Sequence, residues 1–390
     1  MEIYDLYKAY KRSRRGKRRS ADQVQFEMNM YERLGNLRNA LNRHTYTPTS
    51  NYCFIHKRQK PREVWASEVE LKIIQTILDE KLRPIIEAEL TDRTFNNRIG
   101  MGTHAAMNRV IQDIAEVSKG YASDAYIIKV DLKGYFPNIN QDKAWAMMEK
   151  LIDKYDGDDR EEVRYMARLV NYANPQFKCY RRSPLSQWTD EIPKYKSLFE
   201  KPFGTGAAIG FLYWQVLSNY YLNEVDKWII ANITPHYVRF VDDMVMVVEN
   251  KTALTMLPLL RKELAKIDVR MHPNKFYCQH YTKGVEFLGY HINPHSIHLN
   301  RKIVKKALRV PHISREKLVC RTNSYMGMIK CSTDNHLRRM LLDSIERNDI
   351  EKDYEKWKVK AKNNELARRK RCFINRKALF YKLKSIIFTR

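Results

Sequence analysis

What the sequence has little of narrows its class first. Cysteine is scarce, six in 390 residues (Cys53, Cys179, Cys278, Cys320, Cys331, Cys372). None falls in a CxxC pair, which argues against a zinc ribbon or finger and against a disulfide framework. Free, mostly buried thiols are expected. No run approaches the ~20 apolar residues of a membrane span. Met1–Tyr10 contains Glu2 and Asp5 and no apolar stretch, so it does not read as a secretory signal. No repeat is visible at a 20–50-residue period. The glycine-rich stretch GTGAAIG at Gly204–Gly210 lacks the GK[ST] that a P-loop needs. A cytoplasmic, soluble protein without a membrane partner is expected.

Negative charge is also short: 45 Asp+Glu stand against 71 Lys+Arg, a net +26. Such an excess is commonly matched to phosphate, where counterion release drives binding. Two concentrations stand out. Lys8–Arg19 holds eight basic residues in twelve, and Glu351–Arg390 carries fourteen Lys/Arg against four acids. A solvated helix face or an anionic membrane surface would explain either run alone. Both together, with 24 Tyr and six Trp able to stack on bases, favour nucleic acid. With 44% hydrophobic residues the chain can bury a core.

Leu6–Tyr46 reads as basic helix and Ser50–Ala66 as a basic β-hairpin. From Ser67 a helical period begins, with Ser67 and Glu70 as a capping box and Pro84 near the end. A helix is predicted at Thr103–Glu116, where Thr103 and His104 read as caps. Ala125–Asp131 reads as a strand. Helices are predicted at Gln141–Tyr155 and Glu161–Tyr172, and 174–202 reads as irregular. Gly210–Ile230 looks like one long apolar helix. A hairpin follows at Tyr237–Val248, then a helix at Ala253–Lys266, strands near Val269 and Val285–Ile292, and basic helices beyond Asn300. This order gives an α+β core with a helical appendix.

Asp242-Asp243 lies at the centre of the hairpin YVRFVDDMVMVV. A solvated hairpin tip is the ordinary setting for such a pair, because burying unpaired carboxylates is costly. Asp131, at the end of an apolar-rich strand and before Gly134-Tyr135-Phe136-Pro137, supplies a third carboxylate. Strand-borne carboxylates of this kind suit two-metal phosphoryl transfer, where hard oxygen ligands on rigid elements hold two Mg²⁺ ions.

These residues carry a family resemblance. FVDD at Phe240–Asp243 resembles the [YF]xDD motif of reverse transcriptases, and VDLKGYFPNI at Val130–Ile139 resembles their first catalytic motif. HPNK ending at Lys275 resembles the lysine motif, VEFLGY at Val285–Tyr290 the primer grip, FNNRIGMGTH around Arg98 an N-terminal motif of bacterial members, and Asn323–Arg339 their thumb. The motifs run in order over about Asn51–Leu342. The bacterial group II intron-like and diversity-generating enzymes are the most similar groups. The latter carry [IVL]GxxxSQ; here Ile209, Gly210 and Gln215 match while Trp214 replaces Ser, which tilts the reading toward related enzymes of antiphage defence.

The resemblance implies an α+β right-hand polymerase, fingers–palm–thumb, with an antiparallel-sheet palm and a basic helical thumb: 1–124 extension and fingers, 125–292 palm with interleaved fingers segments, 293–390 thumb and tail. Asp131, Asp242, Asp243 and the Leu132 carbonyl would hold two Mg²⁺, with Mn²⁺ able to substitute. Lys60, Arg62, Arg98, Phe136, Ile209, Gly210, Gln215 and Lys275 would meet the nucleotide. Phe136 would be the gate against a 2′-hydroxyl, and Lys275 a proton donor to pyrophosphate. Lys57 and Arg58 belong to the same basic loop, which could instead touch template phosphates. Arg98 would contact triphosphate or template. Gly204–Gly210 would bring backbone close to nucleotide or template, and Phe287, Leu288 and Gly289 would hold the primer end. Core packing would explain Phe136 or Phe287 equally, and a surface site Lys275.

The implied partners are a structured non-coding RNA template, nascent DNA, dNTPs and an accessory protein or second copy, in a bacterial cytoplasm. The alternatives are the mutagenic enzyme of a diversity-generating element, which works with a small basic accessory protein, and an idle maturase-like RNA scaffold. RNA-templated RNA synthesis is disfavoured by Phe136. No RNase H or endonuclease domain is expected. The tail would be a pair of helices that bind RNA or dock a protein.

Overall fold

The computed structural model describes residues 1–16, 20–48, 50–57, 60–173, 179–309 and 315–346. Two compact units divide the chain, one formed by 1–288 with 292–294 and the other by 289–291 with the residues from 295 on. The tail Glu351–Arg390 and Arg58 lie outside the described residues.

The first unit begins with three helices, α1 (Ile3–Ser13), α2 (Ala21–Met28) and α3 (Met30–Asn42), where one basic helix was expected. Leu6, Ala9 and Tyr10 of α1 are buried, leaving its basic residues outside. The expected hairpin is β1 (Asn51–His56) and β2 (Arg62–Ser67), antiparallel, with β4 (Cys179–Arg181) parallel on the other side of β1. Helix α4 (Val69–Glu89) starts two residues later than its period predicts. Ser67 stays in β2 opposite Asn51, so no Ser67–Glu70 capping box forms; Glu68 is the N-cap and Glu70 pairs with Arg33 at 2.7 Å. The helix also runs five residues past Pro84, although a proline there removes one hydrogen-bond donor and crowds the carbonyl a turn earlier.

Helix α5 (Thr103–Val117) is capped by Gly102, not by Thr103 or His104. Strand β3 (Tyr126–Leu132) follows, then α6 (Gln141–Ile152) and α7 (Arg160–Asn171). The predicted irregular stretch contains β4, α8 (Leu185–Glu191) and 3-10 turns at Lys194–Lys196 and Leu198–Glu200. The long helix expected at Gly210–Ile230 is two, α9 (Leu212–Tyr221) and α10 (Asn223–Asn232), separated at Leu222. The remaining elements are β5 (Tyr237–Phe240), β6 (Asp243–Val248), α11 (Leu257–Lys266), β7 (Met271–His280) and β8 (Val285–Phe287).

The sheet that carries the acidic residues has strand order β5-β6-β3-β7, all antiparallel. Met244–Val248 are buried without interruption, because both sheet faces are covered. On one side Ile128, Val130, Met244 and Met246 join the main core with α4, α6 and α9. On the other, α5 packs against β5 and β6. This is the expected α+β class with an antiparallel sheet at its centre.

The second unit, which takes in part of β9 (Tyr290–Asn293), contains β10 (Ser296–Leu299), α12 (Arg301–Leu308), α13 (Arg315–Ile329) and α14 (Asn335–Glu346). His298 bonds Asp334 at 2.6 Å, and the Tyr290 hydroxyl donates to the Met328 carbonyl at 2.9 Å. Among the described cysteines only Cys53 is buried and Cys320 is exposed, which corrects the expectation of mostly buried thiols; all five are free. No described helix is long and apolar enough to cross a membrane.

Candidate active site

Three aspartates meet at one end of the central sheet. Asp131 on β3 is the direct cross-strand partner of Asp243 on β6. Phe240 pairs with Asp243, so Val241 and Asp242 form a two-residue hairpin turn. Val241 has φ +60, a conformation that tight hairpins usually give to glycine and that strains a β-branched residue. Three bonds hold the turn. Val241 N donates to Asn96 Oδ1 at 2.9 Å, Arg239 Nη1 donates to the Val241 carbonyl at 3.3 Å, and Leu132 N donates to the Asp242 carbonyl at 3.3 Å.

Beneath the turn lies a buried ion pair. Arg239 and Asp226 are both fully buried and meet at 2.6 Å. Arg239 also donates to the Asn219 carbonyl at 2.8 Å, while Tyr237 Oη and Thr94 Oγ1 donate to Asp226 at 2.8 and 3.1 Å. Satisfying the remaining donors and acceptors is what makes such a pair tolerable in the core. Reading the sequence motif by motif misses this support, because Asp226, Thr94 and Arg239 belong to three separate segments.

On the other edge of β3, Val130 pairs with Phe276 but Leu132 with Met271, so His272–Lys275 bulges out opposite Asp131. Pro273 cannot donate to the ladder, which favours the bulge there. The bulge returns Lys275 over the site, where Nζ contacts both Asp131 oxygens at 2.8 and 2.7 Å. Lys129 Nζ lies 3.5 Å from Asp243 Oδ1 and donates to the Glu286 carbonyl at 2.7 Å. Among the described residues no lysine forms an ion pair with Asp242. Burial, and then the charges of Asp243 and Asp131, push its carboxyl up to about 6, with Arg62 opposing. The charges of Asp243 and Asp131 thus act on Asp242 in one sense and Arg62 of β2 in the other.

Among the described residues, the His/Cys/Asp/Glu trio whose ligand atoms lie within 4.8 Å of one another is a different one, Asp113, Glu116 and His236. Arg93 and Arg109 reach Asp113 at 3.2 and 2.6 Å, so guanidinium groups already supply the positive charge there. The aspartates of the central sheet are more spread, and lysine ammonium groups pair with two of them, Lys275 with Asp131 and Lys129 with Asp243. Carboxylate oxygens are nevertheless the hard donors that divalent ions take.

The other sequence-selected residues divide. Arg62 and Lys60 are exposed on the β1–β2 hairpin, while Lys57 pairs with Glu191 at 2.5 Å. Phe136 is half-buried in a 3-10 turn, edge-on to Tyr135 at 5.4 Å. Arg98 is spent elsewhere: it binds Glu87 at 2.7 Å and the carbonyls of Thr91 and Thr94 at 2.5 and 3.1 Å, which leaves little of the fork for a phosphate.

The close approach of Gly204–Gly210 is to protein. A Cβ on Gly210, φ +116, would stand 2.2 Å from the Trp65 carbonyl oxygen, and Trp65 N donates to the Ile209 carbonyl at 2.7 Å. The segment thus clamps the strand that carries Arg62. The Gln215 carbonyl accepts from Asn97 Nδ2 at 3.2 Å. Phe287 is buried with Lys129 Nζ 6.0 Å from its ring centre, and Leu288 has φ +52. Gly289 falls in the second unit.

An antiparallel sheet that ends in three aspartates, with lysines and an arginine strand around them, offers the hard oxygen donors that divalent ions take. The chain belongs to the reverse transcriptase (RNA-dependent DNA polymerase) family, whose profile matches residues 55–292. No curated protein matches it. Solved structures similar to it include apo telomerase from Candida tropicalis truncated from its C-terminal domain (12% identity, 67% of this chain and 59% of that one, TM-score 0.45). Two others are telomerases in complex with the TWJ fragment of telomeric RNA. That from Candida tropicalis has 12% identity, 92% and 62% coverage and TM-score 0.47; that from Candida albicans has 10%, 84% and 58%, and 0.48. The chain spans about six-tenths of the length of these telomerase chains.

Proposed function

We propose that this protein is an RNA-directed DNA polymerase that extends a DNA strand on an RNA template from dNTPs. The observation that carries the reading is the register pairing of Asp131 with Asp243 beside Asp242, whose carboxyl burial, and then the charges of the other two, push up to about 6. Asp131, Asp242, Asp243 and the Leu132 carbonyl would hold Mg²⁺, or Mn²⁺ in its place. When bound, such ions stabilise negative charge on the attacking and leaving oxygens.

The chain's own groups do the rest. Lys275 and Lys129 neutralise the carboxylates between turnovers and shift when other positive charge arrives. Lys275, which contacts Asp131, would give a proton to the leaving pyrophosphate. Arg62, with Lys60, presents a cationic edge to the triphosphate, where a guanidinium fork suits phosphate oxygens. Phe136 lies five residues beyond Asp131 and would exclude a 2′-hydroxyl sterically. Ile209 and Gly210 act through β2, by fixing Trp65 and so the strand of Arg62. Gln215 would meet the nucleotide–template pair. Phe287, Leu288 and Gly289 would grip the primer end, and the basic helices of the second unit would form the thumb.

The sequence motifs further support a bacterial, group II intron-like enzyme with a dedicated structured RNA, serving antiphage defence. Sequencing the RNA that copurifies with the protein, and the DNA made on it when dNTPs and Mg²⁺ are supplied, tests both levels. Metal-dependent DNA complementary to a discrete RNA is expected. Copurifying RNA with no DNA under either divalent ion would favour an RNA-binding scaffold.

A further inference from the structure

Between α7 and α9 the chain makes a long excursion whose far end returns to the site. Tyr195 comes back to the turn after Asp131. Its ring and carbonyl lie 3.6 and 3.8 Å from where a Cβ on Gly134 would stand. Two ammonium groups flank the ring, Lys133 Nζ at 5.6 Å and Lys196 Nζ at 5.5 Å from its centre. Both lysines and half the tyrosine are exposed, and among the described residues neither lysine forms an ion pair with a carboxylate. His272, on the bulge opposite Asp131, has its pKa lowered by burial and then by Lys275, with Asp131 opposing and Lys133 and Lys196 adding to the fall. Two cations without a carboxylate partner among the described residues thus flank a ring that lies against the turn following Asp131.

A second observation ties this spot to Arg62. Glu63, the next residue on β2, is buried and turns inward. Its carboxylate accepts from Leu198 N at 2.9 Å, from Trp188 Nε1 at 3.1 Å and from Ser197 Oγ. One buried carboxylate thus joins the segment carrying Tyr195 and Lys196 to the strand carrying Arg62. Breaking a network of that kind is costly, because it leaves buried donors unpaired.

We propose that Lys196 and Lys133, flanking Tyr195, form a second cationic wall that binds the polyphosphate of the incoming dNTP and of the pyrophosphate product, with Glu63 as the positioning residue that fixes it relative to Arg62. A triphosphate concentrates several negative charges on adjacent phosphorus atoms, as several cations on a few side chains require; a template backbone spreads them along the strand. The location of the wall near a nucleotide rests on the polymerase reading above.

The test has two independent readouts. Calorimetric titration of the full-length protein with inorganic tripolyphosphate needs no turnover. Steady-state primer extension gives KM for dNTP, kcat and Kd for labelled primer–template. An exposed charge contact of about 1 kcal/mol corresponds to about fivefold. Lys196→Ala and Lys133→Ala should each weaken tripolyphosphate binding and raise KM for dNTP about fivefold, with kcat and primer–template Kd changed less than twofold. Glu63→Gln should raise KM in the wild-type background and not further in Lys196→Ala, the coupling expected of a residue that acts through another.

Equal tripolyphosphate binding by wild type and the double lysine variant would overturn the proposal whether or not the protein polymerises. A raised primer–template Kd with unchanged KM would overturn it in favour of a template contact. Lack of extension by wild type, with lysine-dependent tripolyphosphate binding intact, would count against the polymerase reading alone.

Discussion

Replacing Asp242 by Asn should stabilise the protein while it removes the chemistry. The carboxyl of Asp242 rises from 3.8 to about 6, by burial and by the charges of Asp243 and Asp131. At ~1.4 kcal/mol per pH unit, holding it ionised at pH 7.5 costs the fold about 3 kcal/mol. Asparagine keeps the shape and removes the charge. In metal-chelated buffer, Asp242→Asn should therefore be more stable than wild type at pH 7.5 by about 1–3 kcal/mol, measured by urea unfolding.

The pH dependence fixes the sign. Between about pH 4 and 6 the folded protein holds a proton on Asp242 that the unfolded chain releases. The wild type thus gains stability relative to the variant as pH falls through 6, and the advantage of Asp242→Asn vanishes near pH 4. Adding Mg²⁺ should reverse the order at pH 7.5, because an ion held by the carboxylates stabilises only the wild type. A variant less stable than wild type in chelator at pH 7.5 would refute the electrostatic coupling of the three aspartates.

Arg239→Ala would leave Asp226 buried without its partner and should cost about 3–5 kcal/mol in urea unfolding; a loss below 1 kcal/mol would show that the pair does not support the hairpin. Gly210→Ala puts a Cβ 2.2 Å from the Trp65 carbonyl oxygen at φ +116, so it should cost at least about 2 kcal/mol and lower the thermal midpoint, whereas an unchanged midpoint would show that the clamp on β2 yields freely. Phe136→Ala should raise ribonucleotide incorporation relative to deoxynucleotide by tenfold or more, about 1.4 kcal/mol in transition-state energy. Unchanged discrimination in competing-nucleotide extension would remove Phe136 from the nucleotide site.

Local chemistry was legible in the sequence wherever one segment contains it. The β1–β2 hairpin, β3 and the Asp242–Asp243 hairpin follow from apolar content and turn position, and their register makes Asp131 and Asp243 neighbours. Features shared between distant segments were not legible. Ser67 and Glu70 have the spacing of a capping box, but pairing of Ser67 with Asn51 wins, because the hairpin extends to it. Leu222 separates two helices that apolar content alone merges. Arg98 resembles a family motif, yet Glu87 and two loop carbonyls occupy it. Gly210 needs to be glycine because of Trp65, 145 residues earlier. The contact of Lys275 with Asp131 depends on a strand bulge that a single-sequence period cannot register.

The most direct test of the central claim is primer extension on an RNA template with Mg²⁺ and dNTPs, comparing wild type with Asp131→Asn and Asp242→Asn, each matched for folding by circular dichroism. Metal-dependent DNA synthesis by wild type, reduced at least a thousandfold, about 4 kcal/mol, in both folded variants, is the predicted result. Synthesis that survives either substitution in folded protein would contradict the assignment of the reaction to these three carboxylates.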